Sequence, residues 1–367
     1  MENQLLQLSW KDPGSKKLDN KLHGLCSYMA MFPPGLPRHF IEQYSKKGEV
    51  VLDPFSGRGT TVLEACLMER IGMGNDRNPL AHLLTKAKSN LPSKKRAIDR
   101  INELQEEFNL EKNDINSEKD NIKMLFHYLT LKQLLFLKKN LRWKEKNVDS
   151  FITAMIMGII HGGSEGYLSI KMPNTFSMSQ NYIKKYIKTH NLQKPKRDVF
   201  EILKKRLEKY NESPRIKGKA YNLDVRNIYS IKDNSVDLII TSPPYTKVIR
   251  YGQFNWIRLW FLDKKAKDID GKLFFTQSID RYSKFIFDTL KELKRVLKPN
   301  KKLILIVGDI KEKNLAEIVW ERCAKPLGFI LVDNIEDRIN DSSKVSKIWG
   351  AKKGNATKID RILVLEK

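Results

Sequence analysis

The chain has 367 residues, of which 41% are hydrophobic, so it can bury the core of one large domain or of one domain with an insertion. Its 68 Lys and Arg residues outnumber its 43 Asp and Glu residues, and the resulting net charge of +25 favours an anionic partner, most commonly nucleic acid. The three cysteines lie far apart, the first residues lack a signal-peptide pattern, and no apolar run reaches the roughly 18–20 residues of a membrane span, which argues against disulfide-rich, secreted and membrane proteins.

The first predicted elements form a strand, turn, helix and strand. Glu49–Asp53 is a short apolar run that predicts a buried strand. Thr60–Arg70 has apolar residues at helical spacing and predicts the next helix, and Ile71–Asp76 predicts a second strand. Pro79 suits the first position of a further helix. This order is typical of a βαβ unit.

The alternation of strands and helices resumes near Lys219. The predicted strands are Lys219–Leu223, Val236–Thr241, Lys302–Asp309, Phe329–Asp333 and Asp360–Glu366. The predicted helices are Tyr282–Leu297, which Lys298-Pro299-Asn300 ends, and Asn314–Ala324. About seven strands with helices between them predict an α/β fold with a doubly wound, Rossmann-like sheet.

The segment from Leu91 to Gly218 differs from both flanking parts. It is mostly helical in pattern and rich in Lys, Asn and Glu. We therefore predict a discontinuous domain of residues 1–90 and 219–367, interrupted by an inserted, helical and basic region of residues 91–218. A solvated helical cap is the alternative interpretation of this region.

The segment Asp53–Thr61 reads Asp-Pro-Phe-Ser-Gly-Arg-Gly-Thr-Thr and follows the first predicted strand. Gly57 and Gly59 would let the backbone approach a ligand, and the amides that begin the next helix would favour a carboxylate. Asp76, at the end of the next strand, stands where nucleoside-binding folds hold ribose hydroxyls. The full dinucleotide fingerprint is absent, which argues against an ordinary NAD enzyme. A turn that only packs helix on sheet is the alternative.

A second motif, Thr241-Ser242-Pro243-Pro244-Tyr245, follows the apolar strand that begins at Val236. Its two prolines break the strand and fix the backbone. They would present a hydroxyl, a rigid carbonyl and an aromatic ring at the carboxyl end of the sheet, where open α/β sheets bind ligands. Taken alone, the motif is equally compatible with a plain turn.

Together the two motifs resemble those of the amino-methylating DNA methyltransferases that use S-adenosylmethionine. His23–Arg38 is similar to the N-terminal cofactor motif of that family, and Arg295–Leu303 to its helix-to-strand passage. The resemblance covers roughly residues 21–90 and 219–310. It implies S-adenosylmethionine as the cofactor and double-stranded DNA as the substrate. Neither a metal nor a membrane is expected, because the six histidines form no metal-binding pattern and no apolar run is long enough to span a bilayer. The resemblance also implies a cytoplasmic, nucleoid-associated enzyme, with a cognate restriction endonuclease as a candidate partner.

The resemblance assigns a role to each matching residue. Asp76 would bind the ribose hydroxyls, and Asp224 would face the adenine amino group. Tyr28 and Phe32 would close over the methionine end, near Asp53. The full set of residues implied to bind the cofactor is Tyr28, Phe32, Asp53, Phe55, Gly57, Gly59, Thr60, Asp76 and Asp224.

The same resemblance implies that Ser242, Pro243, Pro244 and Tyr245 form the catalytic motif. An exocyclic amino lone pair is delocalised into the base, so it is a poor nucleophile. Hydrogen bonds from that amino group to the Ser242 hydroxyl and the Pro243 carbonyl would draw the nitrogen toward tetrahedral geometry. Tyr245 would stack on a base flipped out of the duplex, which is worth roughly 1–3 kcal/mol.

The residue at position 242 bears on the target base. Family members with Ser there act mostly on cytosine N4 and those with Asp mostly on adenine N6, so we predict cytosine N4, with adenine N6 as the alternative. No cysteine follows a proline, as cytosine C5 methylation typically requires. An RNA methyltransferase acting on guanine N2 and a non-catalytic DNA-binding subunit are further alternatives.

Contacts to DNA are predicted in the inserted region and beside the catalytic motif. We expect His161–Ser179 to form a loop near the active site, or else a turn between packed helices. The basic stretch Asn181–Lys219 would follow the phosphates, and Arg250 would border the pocket of the flipped base. Arg58, in a position that is often small in the family, would reach a phosphate or solvent. The predicted DNA-binding residues are Lys184, Lys185 and Arg250.

Overall fold

The computed structural model describes residues 20–29, 31, 33–110, 115–163, 165–210, 214, 216–244, 250–309, 314–338 and 359–367. The strands are β1 (Val50–Asp53), β2 (Ile71–Asn75), β3 (Lys219–Tyr221), β4 (Val236–Thr241), β5 (Leu297–Gly308), β6 (Ile330–Arg338) and β7 (Ile359–Glu366). They form one sheet in the order β3-β2-β1-β4-β5-β7-β6. The predicted doubly wound α/β sheet is therefore confirmed.

The strand directions locate the ligand-binding edge. Strands β3, β2, β1, β4 and β5 are parallel, whereas β7 runs antiparallel between β5 and β6. The order of the strands reverses between β1 and β4. In doubly wound sheets ligands bind at the carboxyl ends of the strands beside such a reversal. Both sequence motifs follow these two strands.

Helices cover both faces of the sheet. They are α1 (Gly35–Tyr44), α2 (Thr60–Leu67), α3 (Pro79–Ser89), α4 (Lys94–Leu110), α5 (Asp120–Lys123), α6 (Tyr128–Asn140), α7 (Asn147–Ile159), α8 (Gln180–Thr189), α9 (Val199–Leu207), α10 (Tyr251–Phe254), α11 (Trp256–Phe261), α12 (Ala266–Lys272), α13 (Ile279–Val296) and α14 (Leu315–Val319). Among the described residues, a 3-10 turn at Lys21–Gly24 precedes α1. None of the helices in the described residues combines the length and the apolar character that a bilayer crossing requires.

Alternating side chains of the central strands enter two separate cores. Leu238 and Ile240 of β4 pack with residues of α1 and α2 on one face. Ile239, between them, packs with residues of α13 and α14 on the other face. This alternation follows from the two-residue period of a strand, and burial on both faces explains the continuous apolar run of β4.

The region of residues 91–218 is mainly helical, as predicted, but it does not enclose a core of its own. Buried side chains of α4, α6, α7 and α9 pack in one cluster with α3, with the 3-10 turn and with α11. At Gly158 the backbone of α7 lies so near Leu25 that an added Cβ would lie 1.9 Å from the Leu25 carbonyl oxygen. The inserted helices therefore pack directly against the segment that carries the N-terminal motif.

Candidate active site

The turn between β1 and α2 depends on two glycines in the left-handed region. Gly57 has φ of +50° and Gly59 has φ of +78°. A Cβ at Gly59 would lie 2.9 Å from Thr85 Cα, so a side chain is excluded both by the backbone conformation and by packing. The Gly59 amide donates a hydrogen bond to the Ser56 carbonyl at 2.6 Å, which closes the turn.

Asp76 ties this turn to the end of β2. Its carboxylate accepts hydrogen bonds from the Gly57 amide at 2.9 Å and the Asn78 amide at 2.8 Å. Burial raises the pKa of Asp76 to about 6, against these two stabilising bonds. The fold thus places a half-buried acidic group beside the glycine turn.

Asp53 ties the same turn to the end of β4. Its carboxylate accepts a hydrogen bond from Thr241 Oγ1 at 2.7 Å and another from the Phe55 amide at 3.2 Å. Only 1% of Asp53 is exposed, and this burial raises its pKa to about 7. The bond to Thr241 brings together two motifs that lie 188 positions apart in the chain.

A cleft opens where the two motifs meet, and Ser242 lines it. Pro243 is buried and Pro244 half-buried, so the prolines anchor the segment in the protein. The predicted site residues Phe32 and Tyr245 lie outside the described residues. The side chains and backbone that line the cleft belong to Met31, Asp53, Phe55, Ser56, Gly57, Arg58, Thr60 and Ser242.

Tyr28 forms one wall beside the glycine turn. Its ring would lie 3.5 Å from a Cβ at Gly57, and its hydroxyl accepts a hydrogen bond from Asn78 Nδ2 at 3.0 Å. The ring stacks on Tyr251, with 5.7 Å between centroids. Tyr28 therefore stands next to the predicted cofactor turn, and Tyr251 extends the wall toward the segment that follows the catalytic motif.

Asp224 lies after β3, farther along the same edge of the sheet. Its carboxylate is engaged by two arginines, because Arg226 donates to it at 2.8 and 2.9 Å and Arg77 forms an ion pair with it. The hydrogen bond from Arg226 lowers the pKa of Asp224. The predicted contact with an adenine amino group would therefore have to share this carboxylate with the guanidinium groups.

A network of buried polar side chains, which could not be predicted from the sequence, connects the glycine turn to the N-terminal motif. Glu64 of α2 binds His23 Nε2 at 2.6 Å and accepts a hydrogen bond from Arg38 Nε at 2.8 Å. Lys88, which is fully buried in α3, donates to the Arg58 carbonyl at 2.7 Å. Burial lowers the pKa of His23 and, more strongly, that of Lys88. These groups hold the N-terminal motif and the turn in fixed relative positions.

Arg258 is a further buried residue whose role could not be predicted from the sequence. It is 1% exposed, and it donates to the Met157 carbonyl at 3.0 Å, to Asn255 Oδ1 at 2.7 Å and to Ser27 Oγ at 2.8 Å. Carbonyl and hydroxyl oxygens thus solvate this buried cation. The available signal was a single charge within the apolar helix Trp256–Phe261.

The inserted region reaches this site through the segment before α8. Ser27 Oγ donates to Thr175 Oγ1 at 2.9 Å, and the Ser177 amide donates to the Phe254 carbonyl at 2.8 Å. Part of the predicted loop His161–Ser179 therefore lies between the N-terminal motif and α10. His161 itself is buried, and burial lowers its pKa to about 3, so it stays neutral.

The predicted DNA-binding residues lie on the surface near these contacts. Arg250 directly precedes α10 and is exposed. Lys184 and Lys185 are exposed on α8, which follows directly after the docked segment. Trp256 donates from Nε1 to the Met178 carbonyl at 2.9 Å and fixes the start of α8 against α11. Trp256, Trp260 and Phe261 pack against the core.

The site suits a ligand that carries both hydroxyls and positive charge. Two carboxylates, the buried Asp53 and the half-buried Asp76, flank the glycine turn, and an aromatic wall stands beside it. S-adenosylmethionine has ribose hydroxyls, an ammonium group and a sulfonium, so this donor and acceptor set fits it. No group of three His, Cys, Asp or Glu side chains in the described part of the chain could hold a metal ion.

Two curated type II methyltransferases are similar to this chain over most of its length. The chain is 25% identical over 334 residues to the type II methyltransferase M.BsoBI of Geobacillus stearothermophilus, covering 78% of this chain and 64% of that one. It is 26% identical over 285 residues to the type II methyltransferase M.MvaI of Kocuria varians, covering 71% and 61%. The chain thus spans less than two thirds of the length of these relatives.

Among solved structures, a SAM-dependent methyltransferase from Methanosarcina mazei matches with a TM-score of 0.39 at 10% identity, covering 92% of this chain and 99% of that one. The family model described as DNA methylase matches residues 3–87 and 236–359. These two segments make up more than half of the chain, and they contain both motifs of the cleft. The protein therefore belongs to the DNA methylase family of N4 and N6 amino-methyltransferases, which use S-adenosylmethionine as the methyl donor.

Proposed function

We propose that the protein transfers the methyl group of S-adenosylmethionine to the N4 amino group of a cytosine flipped out of duplex DNA. One observation carries the proposal. Thr241 Oγ1 donates to the Asp53 carboxylate at 2.7 Å, so the end of β4 meets the glycine turn, and Ser242 lines the cleft at that junction. A methyl donor at the turn and an amino group at Ser242 would then be neighbours.

The chain would contribute mainly positioning and hydrogen bonds to the reaction. The bound cofactor supplies a methyl group on a positively charged sulfur. The Ser242 hydroxyl and the Pro243 carbonyl would accept hydrogen bonds from the exocyclic amino group and localise its lone pair on nitrogen. Asp53, Asp76 and Tyr28 would hold the cofactor, which would supply its methyl group to the localised lone pair, and the amino nitrogen would give up one proton in exchange. The proposal assigns stacking on the flipped base to Tyr245.

The contacts of the glycine turn support the cofactor assignments. Asp76 would accept hydrogen bonds from the ribose hydroxyls, since a carboxylate has room for further donors beside the Gly57 and Asn78 amides. Asp53 and Tyr28 would flank the methionine part. Asp224 would accept from the adenine amino group while keeping its arginine partners. The remaining proposed cofactor residues are Phe32, Phe55, Gly57, Gly59 and Thr60.

The choice of cytosine and of DNA has separate support. Ser rather than Asp stands at position 242, which favours cytosine N4 over adenine N6. The net charge of +25 and the exposed Lys184, Lys185 and Arg250 favour a polyanion. We propose that residues 91–218 contribute to target recognition, because their segment before α8 docks beside the cleft.

The names of the relatives support a biological setting. Both are called type II methyltransferases, so we propose that this protein acts on the DNA of a cell that also makes a cognate restriction endonuclease. Its place of action would then be the nucleoid in the cytoplasm.

The test is mass spectrometry of nucleosides from plasmid DNA incubated with the protein and isotopically labelled S-adenosylmethionine. We expect labelled N4-methylcytosine, its loss in Ser242→Ala, and its retention in Ser235→Ala, a matched change at the other end of β4. Binding of S-adenosylmethionine by Ser242→Ala, measured by calorimetry, should persist. Labelled N6-methyladenine would refute the choice of base. Label in tRNA alone, or in no nucleic acid, would refute the DNA methyltransferase assignment.

A further inference from the structure

A second cavity lies next to the cleft of Ser242, and Arg58 lines both. It has a volume of about 730 Å³ and lies between the 3-10 turn, Pro34 and the end of α9. We propose that this basic pocket, defined by Lys21, Arg58, Arg206 and Lys209, binds one backbone phosphate of the DNA substrate. The inference rests on the proposed function and adds the position at which the duplex is anchored.

All the charged residues among the described lining of the basic pocket are positive. Four of its lining residues are cationic, and none of the described lining residues is acidic. Lys21 and Lys209 are exposed, and neither ammonium group forms an ion pair or a hydrogen bond with another described residue. The ammonium groups of Lys21 and Lys209 both face the pocket region as positive charges, so an anion that enters the pocket would be attracted to them.

Two arginines of the pocket are held in place by the backbone of one segment. Arg206 Nη2 donates to the Leu25 carbonyl at 2.8 Å, and Arg58 Nη1 donates to the His23 carbonyl at 3.0 Å. Carbonyl oxygens fix the orientation of a guanidinium group but do not cancel its charge. The rigid part of the pocket is therefore organised before a ligand arrives, which lowers the entropic cost of binding.

The position of Arg58 explains why the ligand would be a phosphate of the substrate. Arg58 lies between Gly57 and Gly59, and it lines both the basic pocket and the cleft that contains Ser242. A phosphate in the pocket would thus lie close to the nucleotide whose base enters the cleft. Phosphate contacts of this kind set the register of a protein on a duplex without reading its sequence.

The test compares two charge-matched double variants. In Lys21→Gln/Lys209→Gln the two exposed cations of the pocket are removed. In Lys232→Gln/Lys291→Gln two exposed lysines are removed near the opposite, amino-terminal edge of the sheet, before β4 and late in α13. Affinity for plasmid fragments is measured between 50 and 200 mM salt, together with kcat and the KM for plasmid DNA and for S-adenosylmethionine.

The expected size of the effect follows from counter-ion release. One phosphate contact contributes about 0.9 to the slope of log affinity against log salt, which is about 3.5-fold in affinity over this fourfold change in salt. We expect the pocket variant to lose about that much slope and to raise the KM for DNA. Its kcat and its KM for S-adenosylmethionine should stay at the wild-type values, and the control variant should keep the wild-type slope.

The other outcomes of this experiment distinguish a failure of the pocket proposal from a failure of the proposed function. An unchanged slope in a pocket variant that still methylates DNA would overturn the pocket and leave the proposed function standing. Weaker binding of S-adenosylmethionine with a normal slope would assign the pocket to the cofactor and overturn the inference. A slope change seen with RNA but not with DNA would do the same. A wild-type protein that neither binds nor methylates DNA would overturn both proposals.

Discussion

Replacing Asp53 by Asn should make the protein more stable, increasingly so as the pH rises. Asp53 is 1% exposed, and burial raises its pKa from 3.8 to about 7. Between these values the folded protein binds more protons than the unfolded chain, so stability falls as the pH rises. Asn has the same shape, and its Oδ1 can accept the same hydrogen bonds from Thr241 and the Phe55 amide.

The magnitude follows from the size of this pKa change. At 1.36 kcal/mol per pH unit, a rise from 3.8 to about 7 costs the ionised folded protein about 4 kcal/mol. From pH 5 to pH 8 the unfolded group stays ionised while the folded group loses its proton. The wild type should lose about 3 kcal/mol of unfolding free energy from this group in that range, and Asp53→Asn should lose none of it.

The assay is urea unfolding of both proteins at pH 5, 6, 7 and 8, with Asp237→Asn as the control. Asp237 is also buried in the fold, and burial alone would raise its pKa, but its bonds with Lys298 and the Val50 amide hold the pKa below its ordinary value. The stability that Asp237 contributes is lost only in acid, as the pH falls through its folded pKa. Asp237→Asn should therefore be less stable than wild type by a constant amount over this pH range.

Parallel stability curves for the wild type and Asp53→Asn would refute this reasoning. They would mean that Asp53 is already ionised at pH 5 and that Thr241 and the Phe55 amide compensate for its burial. A gap that widens only above pH 8 would place the pKa higher still. In either case the affinity of Asp53→Asn for S-adenosylmethionine, measured by calorimetry, should fall, because the proposed contact with the methionine part is weakened.

Three further changes test other parts of the site. Gly59→Ala should lower the unfolding free energy by about 1–3 kcal/mol and weaken cofactor binding. Gly59 has φ of +78°, and the new Cβ would press against Thr85, so the turn would be strained. Gly24→Ala is the control, because no atom lies near the position of its Cβ. Arg258→Met should cost about 3 kcal/mol in urea unfolding because it leaves buried oxygens unpaired, and a loss below 1 kcal/mol would contradict the network. Burial lowers the pKa of Lys88, so the wild type should gain stability relative to Lys88→Met as the pH rises toward 10.5; a pH-independent difference would show that Lys88 is charged in the fold.

Most strands of the sheet could be predicted because their signal is local. The apolar run of β4 was predicted to the residue, and β1 and β2 each differ from the prediction by a single terminal residue. The third strand is shorter than predicted, since β3 ends at Tyr221. The Leu223 amide instead donates to Asn75 Oδ1 at 2.9 Å, which turns the chain away from the sheet. The side chain that decides this boundary belongs to β2, which is 148 positions away in the chain although it neighbours β3 in the sheet. Hydrophobic periodicity cannot reveal such a contact.

The candidate site likewise has parts that could be predicted from local sequence and parts that could not. Both motifs were recognisable because the ligand-binding edge of the sheet needs glycines, prolines and acidic residues at fixed positions close together in the sequence. The buried network was not, since its contacts are distant in sequence: Arg258 reaches the Ser27 carbonyl across 231 positions. Likewise, local sequence cannot show that β7 inserts between β5 and β6 or that Lys88 is fully buried. Each of these depends on packing between elements that only the complete fold brings together.

If residues 91–218 contribute to target recognition, as proposed, the contact between Gly158 and the Leu25 carbonyl limits how new sequence preferences can arise in evolution. A recognition unit that folds on its own can be exchanged between enzymes as a cassette. Here the inserted helices share their core with α3 and touch the backbone next to the N-terminal motif, so a foreign insertion would disturb the proposed cofactor site. We expect its lineage to change specificity through substitutions on exposed faces, such as that of α8, rather than by recombination.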